Sequence, residues 1–246
     1  MERFELLSFA NADELACAAA GAWLQEIEAA NGRGLNFCVA LSGGRIASRF
    51  FSQTVEQARQ QKVSFHGVHF FWADERCVPP TDPESNLKLA NEFLLEPLKI
   101  SRNHIHRIQG EKPAQAALKI AEEELRHFVS KSNDEGQPVL DLVFLGMGED
   151  GHVASLFQNA RFETGEAAKR NGPFIQVSDS PKPPPQRISL NFAAIIAARE
   201  VWVLASGAGK EDALRKSLNM EGQTPLGHVI KNRQNTKIFM DIQIRI

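Results

Sequence analysis

The sequence predicts an α/β fold, in which a mainly parallel β-sheet is flanked by helices. Short apolar runs without polar interruption recur along the chain, a pattern typical of strands that are buried on both faces. Segments with helical periodicity alternate with these runs. No change in composition separates two halves, so we predict a single doubly wound, Rossmann-like domain over residues 1–246.

The first elements show this alternation. Residues 4–8 are strand-like, and residues 11–30 place apolar side chains at helical spacing behind Asn11, a favourable N-cap. The run NFCVAL over 36–41 predicts a buried strand that ends in Ser-Gly-Gly, and helical periodicity resumes at once over 46–61. We expect a strand, a tight turn and a helix here.

The alternation continues to the C-terminal end. Further strands are predicted from Val68 (VHFFWAD) and over residues 140–148, 187–190, 201–206 and 237–244. Further helices are predicted over residues 86–98, 114–131 and 191–199 and from Lys210 onward. Residues 132–138 (SNDEGQP) and 180–185 (SPKPPP) are loops by composition.

Composition and charge narrow the class of partner. Of the 246 residues, 43% are hydrophobic and 24% are charged, and the formal net charge is -2. Because there is no long basic run, the chain lacks the electrostatic footprint of a protein that binds nucleic acid or an anionic membrane. We expect a small-molecule partner, no nucleic acid, no membrane, and a monomer or small homo-oligomer.

Cysteine usage indicates a reducing compartment. Cys17, Cys38 and Cys77 are widely spaced and include no CxxC pair. The first ten residues mix charged and apolar side chains, and no stretch reaches the uninterrupted apolar length that spans a bilayer. We therefore expect a cytoplasmic protein.

Four polar segments directly follow predicted strands. They are Ser42-Gly43-Gly44, Asp74-Glu75-Arg76, residues 146–152 and residues 206–210. Open parallel sheets bind their ligands beyond the carboxyl ends of the strands, so these segments are the candidate site. The glycine turn leaves backbone N–H groups free at a helix start, which suits a phosphate, although glycines serve tight turns in any α/β fold equally well.

The segment GMGEDGH over 146–152 carries the candidate catalyst. His152 in this glycine-rich loop suits a general base, and Asp150 can fix its tautomer and raise its basicity. The alternative is a loop histidine that caps a helix. Asp74, Glu75 and Arg76 share the same predicted edge, although three charges at a strand end are often only solvated.

Arg187 and Lys210 are the candidate cations for a phosphate pocket, since each adjoins a predicted strand end or helix start. Taken singly, each is also explained as an ordinary surface charge. No metal site is predicted, because the pairs His104/His106 and His66/His69 lack a third ligand at a familiar spacing. No GxSxG elbow provides a serine nucleophile, so we expect an activated water.

Four blocks of sequence resemble the 6-phosphogluconolactonase family, whose superfamily includes glucosamine-6-phosphate deaminases. They are SGG from Ser42, DERCVPPTDPESN from Asp74, GMGEDGHVASLF from Gly146 and PKPPPQRISL from Pro181. The resemblance implies a Rossmann-like fold that hydrolyses 6-phospho-D-glucono-1,5-lactone to 6-phosphogluconate in the oxidative pentose phosphate pathway, without a cofactor.

The resemblance also assigns roles to residues. It places the phosphate-binding turn at Ser42, Gly43 and Gly44, the catalytic histidine at His152, and phosphate-binding cations at Arg187 and Lys210. The chain departs from the family pattern SGGSTP, because it reads SGGRIA with Arg45 after the turn. Arg45 either adds positive charge to the phosphate site or points to solvent.

Two other functions are also compatible with parts of the sequence. An amino-sugar-phosphate deaminase or isomerase would resemble GHIAFNEP, with a glutamate beyond the histidine, whereas this chain has Phe157 and Gln158 there. A non-catalytic sugar-phosphate sensor would be free to lose His152, Asp150 and Asp74, all of which are present.

The mechanism we expect starts from neutral His152, which removes a proton from the water that attacks C1 of the lactone. Asp150 supports the imidazole, and the imidazolium then protonates the leaving ring oxygen. Arg76 is the candidate for stabilising the oxyanion, and Asp74 is the fourth candidate catalytic residue, beside His152, Asp150 and Arg76.

Overall fold

The computed structural model describes residues 3–129, 131–134, 136–158, 172–219 and 224–244. Its strands are β1 (Phe4–Ser8), β2 (Phe37–Leu41), β3 (Val68–Trp72), β4 (Asp74–Arg76), β5 (Leu142–Gly146), β6 (Phe174–Val177), β7 (Arg187–Leu190), β8 (Glu200–Ala205) and β9 (Thr236–Met240). Its helices are α1 (Ala12–Asn31), α2 (Arg45–Gln61), α3 (Asn86–Ala90), α4 (Ala114–Phe128), α5 (Phe192–Ala197), α6 (Glu211–Leu218) and α7 (Pro225–Lys231). A π-helical turn, Asn91–Leu95, continues α3. None of the described helices is long and apolar enough to cross a membrane.

Six strands form one sheet in the order β1-β9-β8-β5-β2-β3, and every neighbouring pair is parallel. All residues of β2 and β3 are buried, as their uninterrupted apolar sequences require of strands covered on both faces. The predicted α/β fold with a mainly parallel sheet flanked by helices is confirmed.

Aromatic side chains join the helices to the centre of the sheet. The Trp23 ring of α1 meets the Phe144 ring of β5 edge-on at 5.1 Å between centroids, and it lies 5.6 Å from Phe50 of α2. The side chain of Asn11 accepts hydrogen bonds from the backbone N–H groups of Asp13 and Glu14, so the predicted N-cap of α1 is confirmed.

The strand order reverses its direction between β2 and β5. From β2 the chain moves outward to β3, whereas from β5 it moves the opposite way to β8 and then β9. Loops that leave the carboxyl ends of two such neighbours diverge and open a crevice between them. The glycine turn after β2 and the loop after β5 are therefore the two walls of this crevice.

A second, three-stranded antiparallel sheet in the order β4-β7-β6 lies over this edge. It connects to the main sheet through Ala73, whose N–H donates to Leu41 O at 2.7 Å and whose O accepts from Leu190 N at 2.7 Å. The predicted strand over residues 187–190 exists, but it belongs to this sheet. Strands β4 and β6 and helix α7 were not predicted. These segments are short, and their mixture of polar and apolar residues shows neither the alternation of a strand nor the 3.6-residue periodicity of a helix.

The last strand is shorter than predicted. It was expected over residues 237–244, but β9 ends at Met240. Met240 pairs with the last residues of both neighbouring strands, Ala205 and Ser8, so the ladder has no further partners. The apolar pattern beyond Met240 predicts burial correctly for Ile242, but not a strand.

Candidate active site

The crevice holds a cavity of about 320 Å³ at the carboxyl ends of the parallel strands. Every residue predicted for the site except Asp150 lines it, namely Ser42, Gly43, Gly44, Arg45, Asp74, Arg76, His152, Arg187 and Lys210. Its volume lies within the usual range of small-molecule sites, toward the lower end. Segments distant in the sequence thus meet at one cavity.

His152 lies on the wall of the cavity with Asp150 beside it. Nδ1 of His152 and Oδ1 of Asp150 are 2.5 Å apart, and the His152 side chain is 14% exposed. A carboxylate can only accept here, so Nδ1 carries the proton and Nε2 is left as the basic nitrogen. This is the geometry of a general base oriented by a carboxylate.

A close approach at Gly148 holds this pair in place. A Cβ atom on Gly148 would lie 2.1 Å from Nδ1 and Cε1 of His152 and 2.7 Å from Oδ1 of Asp150. Gly148 N donates to His152 O at 2.9 Å, which folds the loop back on itself. Only glycine leaves room for the imidazole at this position.

The charge state of the pair follows from its surroundings. Burial lowers the pKa of His152, and the hydrogen bond and charge of Asp150 oppose that effect. Burial opposes the ionisation of Asp150, but the hydrogen bond and charge of His152, together with backbone N–H groups, outweigh it and lower the pKa of Asp150. At neutral pH the pair is therefore a neutral imidazole next to a carboxylate.

The glycine turn opens the opposite wall at the start of α2. Gly44 is the N-cap with φ 101°, a conformation that favours glycine, and no side chain caps the helix. The N–H groups of Arg45 and Ile46, the first two of α2, are thus open to an anion, whereas Ala47 N donates to Gly44 O at 3.1 Å. Oγ of Ser42 is buried and has no hydrogen-bond partner among the described residues, so it is a further free donor at this turn.

Lys210 reaches the cavity from the N-cap position of α6 and is only 8% exposed. Burial, together with the positive charges of Arg45 and Lys182, lowers the pKa of Lys210 to about 8. Its Nζ makes no hydrogen bond or ion pair with the part of the chain that the structure describes. A buried ammonium beside other cations is unfavourable without a counter-charge, so an anionic ligand would stabilise it.

Arg45 is mostly exposed and faces the loop after β5. Its Nη2 lies 3.4 Å from Oε1 of Glu149, and the two side chains are 77% and 60% exposed. Such a pair contributes little to stability. Arg45 is therefore at the mouth of the cavity, where it adds positive charge near Lys210.

Asp74 and Glu75 have different environments. Asp74 lines the cavity, whereas Glu75 is buried and accepts hydrogen bonds from the backbone N–H groups of Arg76, Asn86 and Leu87. Burial raises the pKa of Glu75, and these N–H groups oppose the shift. Glu75 therefore anchors the start of α3 and takes no place on the cavity wall.

Arg76 and Arg187 are direct cross-strand neighbours in β4 and β7. Arg76 donates to Glu84 O, and its Nε is buried without a hydrogen-bond partner in the described part of the chain. Arg187 is 4% exposed, and burial, followed by the charge of Arg76, lowers its pKa. Like charges opposite each other are unfavourable in a sheet, so this pair also favours an anion.

Arg187 also has a structural task. Its Nε donates to Pro184 O at 3.1 Å, and its Nη2 donates to Lys182 O at 2.9 Å. These bonds hold the proline-rich loop over residues 180–185 against the cavity. Most of the donors of Arg187 are thus already used within the chain.

Sequence reasoning missed several residues of the cavity wall. They are Glu84, Asn86, Glu149 and Lys182, and Ser155 lies directly behind the wall. Lys182 and Ser155 stand inside the blocks PKPPPQRISL and GHVASLF, which was the available signal. Glu84 and Asn86 lie in the block DERCVPPTDPESN, which carried the same kind of signal.

Several other cavities among the described residues are larger, and two of these, at about twice the volume, fit the site less well. One of about 650 Å³ contains Asp150 and Phe157, and one of about 670 Å³ contains His106 and Glu124. Neither contains a glycine turn at a helix start. Within the described ranges, no group of three or more His, Cys, Asp or Glu side chains is placed to hold a metal ion.

Comparisons with known proteins agree with the geometry. The family model "Glucosamine-6-phosphate isomerases/6-phosphogluconolactonase" matches residues 10–239. 6-Phosphogluconolactonase 3, chloroplastic, of Arabidopsis thaliana is 33% identical over 210 residues, which cover 83% of this chain and 63% of that protein. The 6-phosphogluconolactonase of Mycobacterium tuberculosis is 34% identical over 221 residues, or 87% of this chain and 84% of that one.

A solved structure extends the likeness to three dimensions. The crystal structure of 6-phosphogluconolactonase from Thermotoga maritima superposes with a TM-score of 0.76 at 27% identity, covering 96% of this chain and 97% of that one. The chain spans less than two thirds of the Arabidopsis protein but nearly all of the Thermotoga one. On the extent of the family match and these identities, the chain belongs to the glucosamine-6-phosphate isomerase/6-phosphogluconolactonase family.

Proposed function

We propose that this protein hydrolyses 6-phospho-D-glucono-1,5-lactone to 6-phosphogluconate, the lactonase step of the oxidative pentose phosphate pathway. The observation that carries the proposal is His152, oriented by Asp150 at 2.5 Å on the wall of a cavity that also contains Lys210 and the glycine turn. The two curated relatives described above bear the name of this activity.

The first step in the proposal is binding of the phosphate. The free N–H groups of α2, the Ser42 hydroxyl and Lys210 offer donors and positive charge to a dianion. Arg45 adds charge at the mouth, and Arg187 completes the set with Nη1, of whose two N–H groups only one donates to Ser155. Binding at this end holds the lactone carbonyl near His152.

The second step is attack by water on C1. Nε2 of neutral His152 takes a proton from the water as the new C–O bond forms, and Asp150 stabilises the resulting imidazolium. Collapse of the tetrahedral intermediate breaks the bond between C1 and the ring oxygen, which receives the proton from the imidazolium. Arg76, with its buried Nε, is the candidate donor to the oxyanion, and Asp74 completes the wall beside it.

The proposal includes no metal and no cofactor, and it places the reaction in the cytoplasm. Its nearest alternative within the family is an amino-sugar-phosphate deaminase or isomerase. Phe157 packs against His152 with 4.7 Å between ring centroids, in the region where those enzymes resemble GHIAFNEP with a glutamate. The absence of that acid from the segment GHVASLFQ favours the lactonase.

The test compares His152→Ala with the parent on the phosphorylated lactone, with correction for spontaneous ring opening. We expect kcat to fall by about a hundredfold or more, the usual effect of losing a general base. His66→Ala is the control, because His66 is exposed and lies outside the cavity. A parent without lactonase activity, or a folded His152→Ala protein with normal kcat, would refute the proposal.

A further inference from the structure

Ser155 is a buried serine that the proposed steps leave without a role. It follows His152 by three residues and is 1% exposed. Its Oγ lies 2.6 Å from Oδ2 of Asp74 and 3.4 Å from Nη1 of Arg187. A carboxylate only accepts and a guanidinium only donates, so the hydroxyl donates to Asp74 and accepts from Arg187.

The backbone holds this hydroxyl in position. Leu156 N donates to Val153 O at 2.9 Å, which closes a tight turn, and Ala154 in that turn has a φ of 48°. A positive φ costs a residue other than glycine free energy, and such strain is found where the surrounding structure requires it. The turn brings Ser155 N within 3.2 Å of Oγ of Ser189, the residue opposite Asp74 in the β4–β7 pairing.

With the residues that the structure describes, the Asp74 carboxylate makes two hydrogen bonds, and the one to Ser155 is the shorter. Oδ1 of Asp74 is 3.4 Å from Nδ2 of Asn86, a long and weak hydrogen bond. Rotation of the Asp74 carboxylate is therefore controlled mainly by Ser155. With Oδ2 bound behind the wall, Oδ1 is left as the less engaged oxygen of a residue that lines the cavity.

Without this hydroxyl, a carboxylate and a guanidinium would face each other in a buried place. Asp74 and Arg187 are 5% and 4% exposed, and opposite charges attract strongly where solvent is scarce. A direct ion pair between them would neutralise Arg187 and turn Asp74 away from the cavity.

We infer that Ser155 is a positioning residue, which keeps Asp74 and Arg187 bridged but apart so that both remain available to the phosphorylated ligand. This inference rests on the proposed function for the identity of the ligand. It assigns Ser155 no contact with substrate. Its effect on the site passes through Asp74.

A double-mutant cycle on Ser155→Ala and Asp74→Ala tests this inference. The two readouts are kcat/KM for the phosphorylated lactone and Kd for 6-phosphogluconate, the latter measured by titration calorimetry. We expect Ser155→Ala alone to lower kcat/KM roughly tenfold to hundredfold, the range for losing a hydrogen bond to a charged group, and to weaken product binding about tenfold. In the Asp74→Ala background, Ser155→Ala should change neither quantity more than about twofold.

Thr54→Val is the matched control, because Thr54 is a fully buried residue whose hydroxyl donates to Phe50 O at 2.9 Å within α2, outside the cavity. It should leave kcat/KM and Kd unchanged. If the losses from Ser155→Ala and Asp74→Ala multiply on both readouts, Ser155 acts independently of Asp74 and the inference is wrong. A parent that binds 6-phosphogluconate but lacks lactonase activity would refute the proposed function while the binding cycle still decides the role of Ser155.

Discussion

At the scale of single residues, the site combines groups whose proton affinities are shifted in useful directions. Burial lowers the pKa of His152, which favours the neutral imidazole at neutral pH. Burial also lowers the pKa of Lys210 to about 8, so the charge of this side chain depends on pH and on a nearby anion. Asp150 opposes the lowering of the His152 pKa, and the positive charge of Arg45 adds to the lowering of the Lys210 pKa. Each of these couplings predicts a change in pH dependence.

Asp150→Asn should move the acid limb of kcat/KM to lower pH. Asp150 raises the pKa of His152 through its hydrogen bond and charge, so its removal lowers that pKa further. A less basic imidazole is also a weaker base, and we expect the plateau to fall about tenfold or more. The measurement is the pH profile of kcat/KM; an acid limb that stays in place or moves to higher pH would contradict this assignment.

Lys210 should give 6-phosphogluconate binding an alkaline limit. The pKa of Lys210 is about 8 in the protein without ligand, and a bound dianion raises it. The affinity for 6-phosphogluconate should therefore fall as the pH rises through about 8. Lys210→Arg should remove this fall, because a guanidinium stays charged, and Lys210→Met should weaken binding roughly thirtyfold or more at pH 7. Calorimetric titrations from pH 7 to about 9.5 test this, and an equal alkaline fall in Lys210→Arg would exclude Lys210 as its origin.

At the scale of elements, two loops and a small sheet determine the shape of the site. The loop after β5 closes through Gly148, the turn after β2 opens α2 without a side-chain cap, and β4 and β7 bring Arg76 and Arg187 together. The parallel strands themselves contribute backbone direction and position only. The side chains of the candidate site lie where these strands end.

Gly148→Ala should impair catalysis more than folding. Its Cβ would lie 2.1 Å from the His152 ring, so the imidazole or the loop must move, and a displacement near 1 Å can cost about a hundredfold in rate. Gly67→Ala is the control, because its Cβ would meet its nearest neighbour at an ordinary 3.5 Å. We expect kcat to fall about tenfold or more for Gly148→Ala and to stay unchanged for Gly67→Ala; equal rates in both would show that the loop tolerates the extra methyl group.

At the scale of the whole molecule, buried histidines far from the proposed chemistry couple stability to pH. Nδ1 of His69 and Nε2 of His106 are 2.9 Å apart, and Nδ1 of His106 is 2.9 Å from Oε2 of Glu124 on α4. This chain of contacts connects β3, the segment that precedes α4, and α4 itself. The buried contacts of His69 and His106 indicate a structural role for both residues.

Acid should destabilise the protein through His69. Burial, with the nearby His104 and His106, lowers the pKa of His69 from 6.5 to about 4. The unfolded state thus binds more protons between these values, and stability falls as the pH drops from about 6.5 to 4, by at most about 3 kcal/mol. In His69→Asn the free energy of unfolding, measured with denaturant across this range, should fall less steeply; a parent whose stability is flat from pH 6.5 to 4 would contradict this.

The sequence by itself determined the α/β class and predicted which residues line the candidate site. Uninterrupted apolar runs required strands buried on both faces, and the residues just beyond them had to meet at one edge, which is why His152, Asp74, Lys210 and the glycine turn were found together. The roles of these residues, and the single domain over 1–246, stay predictions.

Only the tertiary structure decided which side chains touch. The antiparallel sheet that pairs Arg76 with Arg187, the bond from Ser155 to Asp74 and the Arg45–Glu149 pair all join residues far apart in the chain. Local patterns carry periodicity, but such contacts depend on where separate elements pack and on how backbone turns aim each side chain. The sequence therefore located the edge of the sheet where the candidate site lies, and packing alone decided how the charged side chains are arranged there.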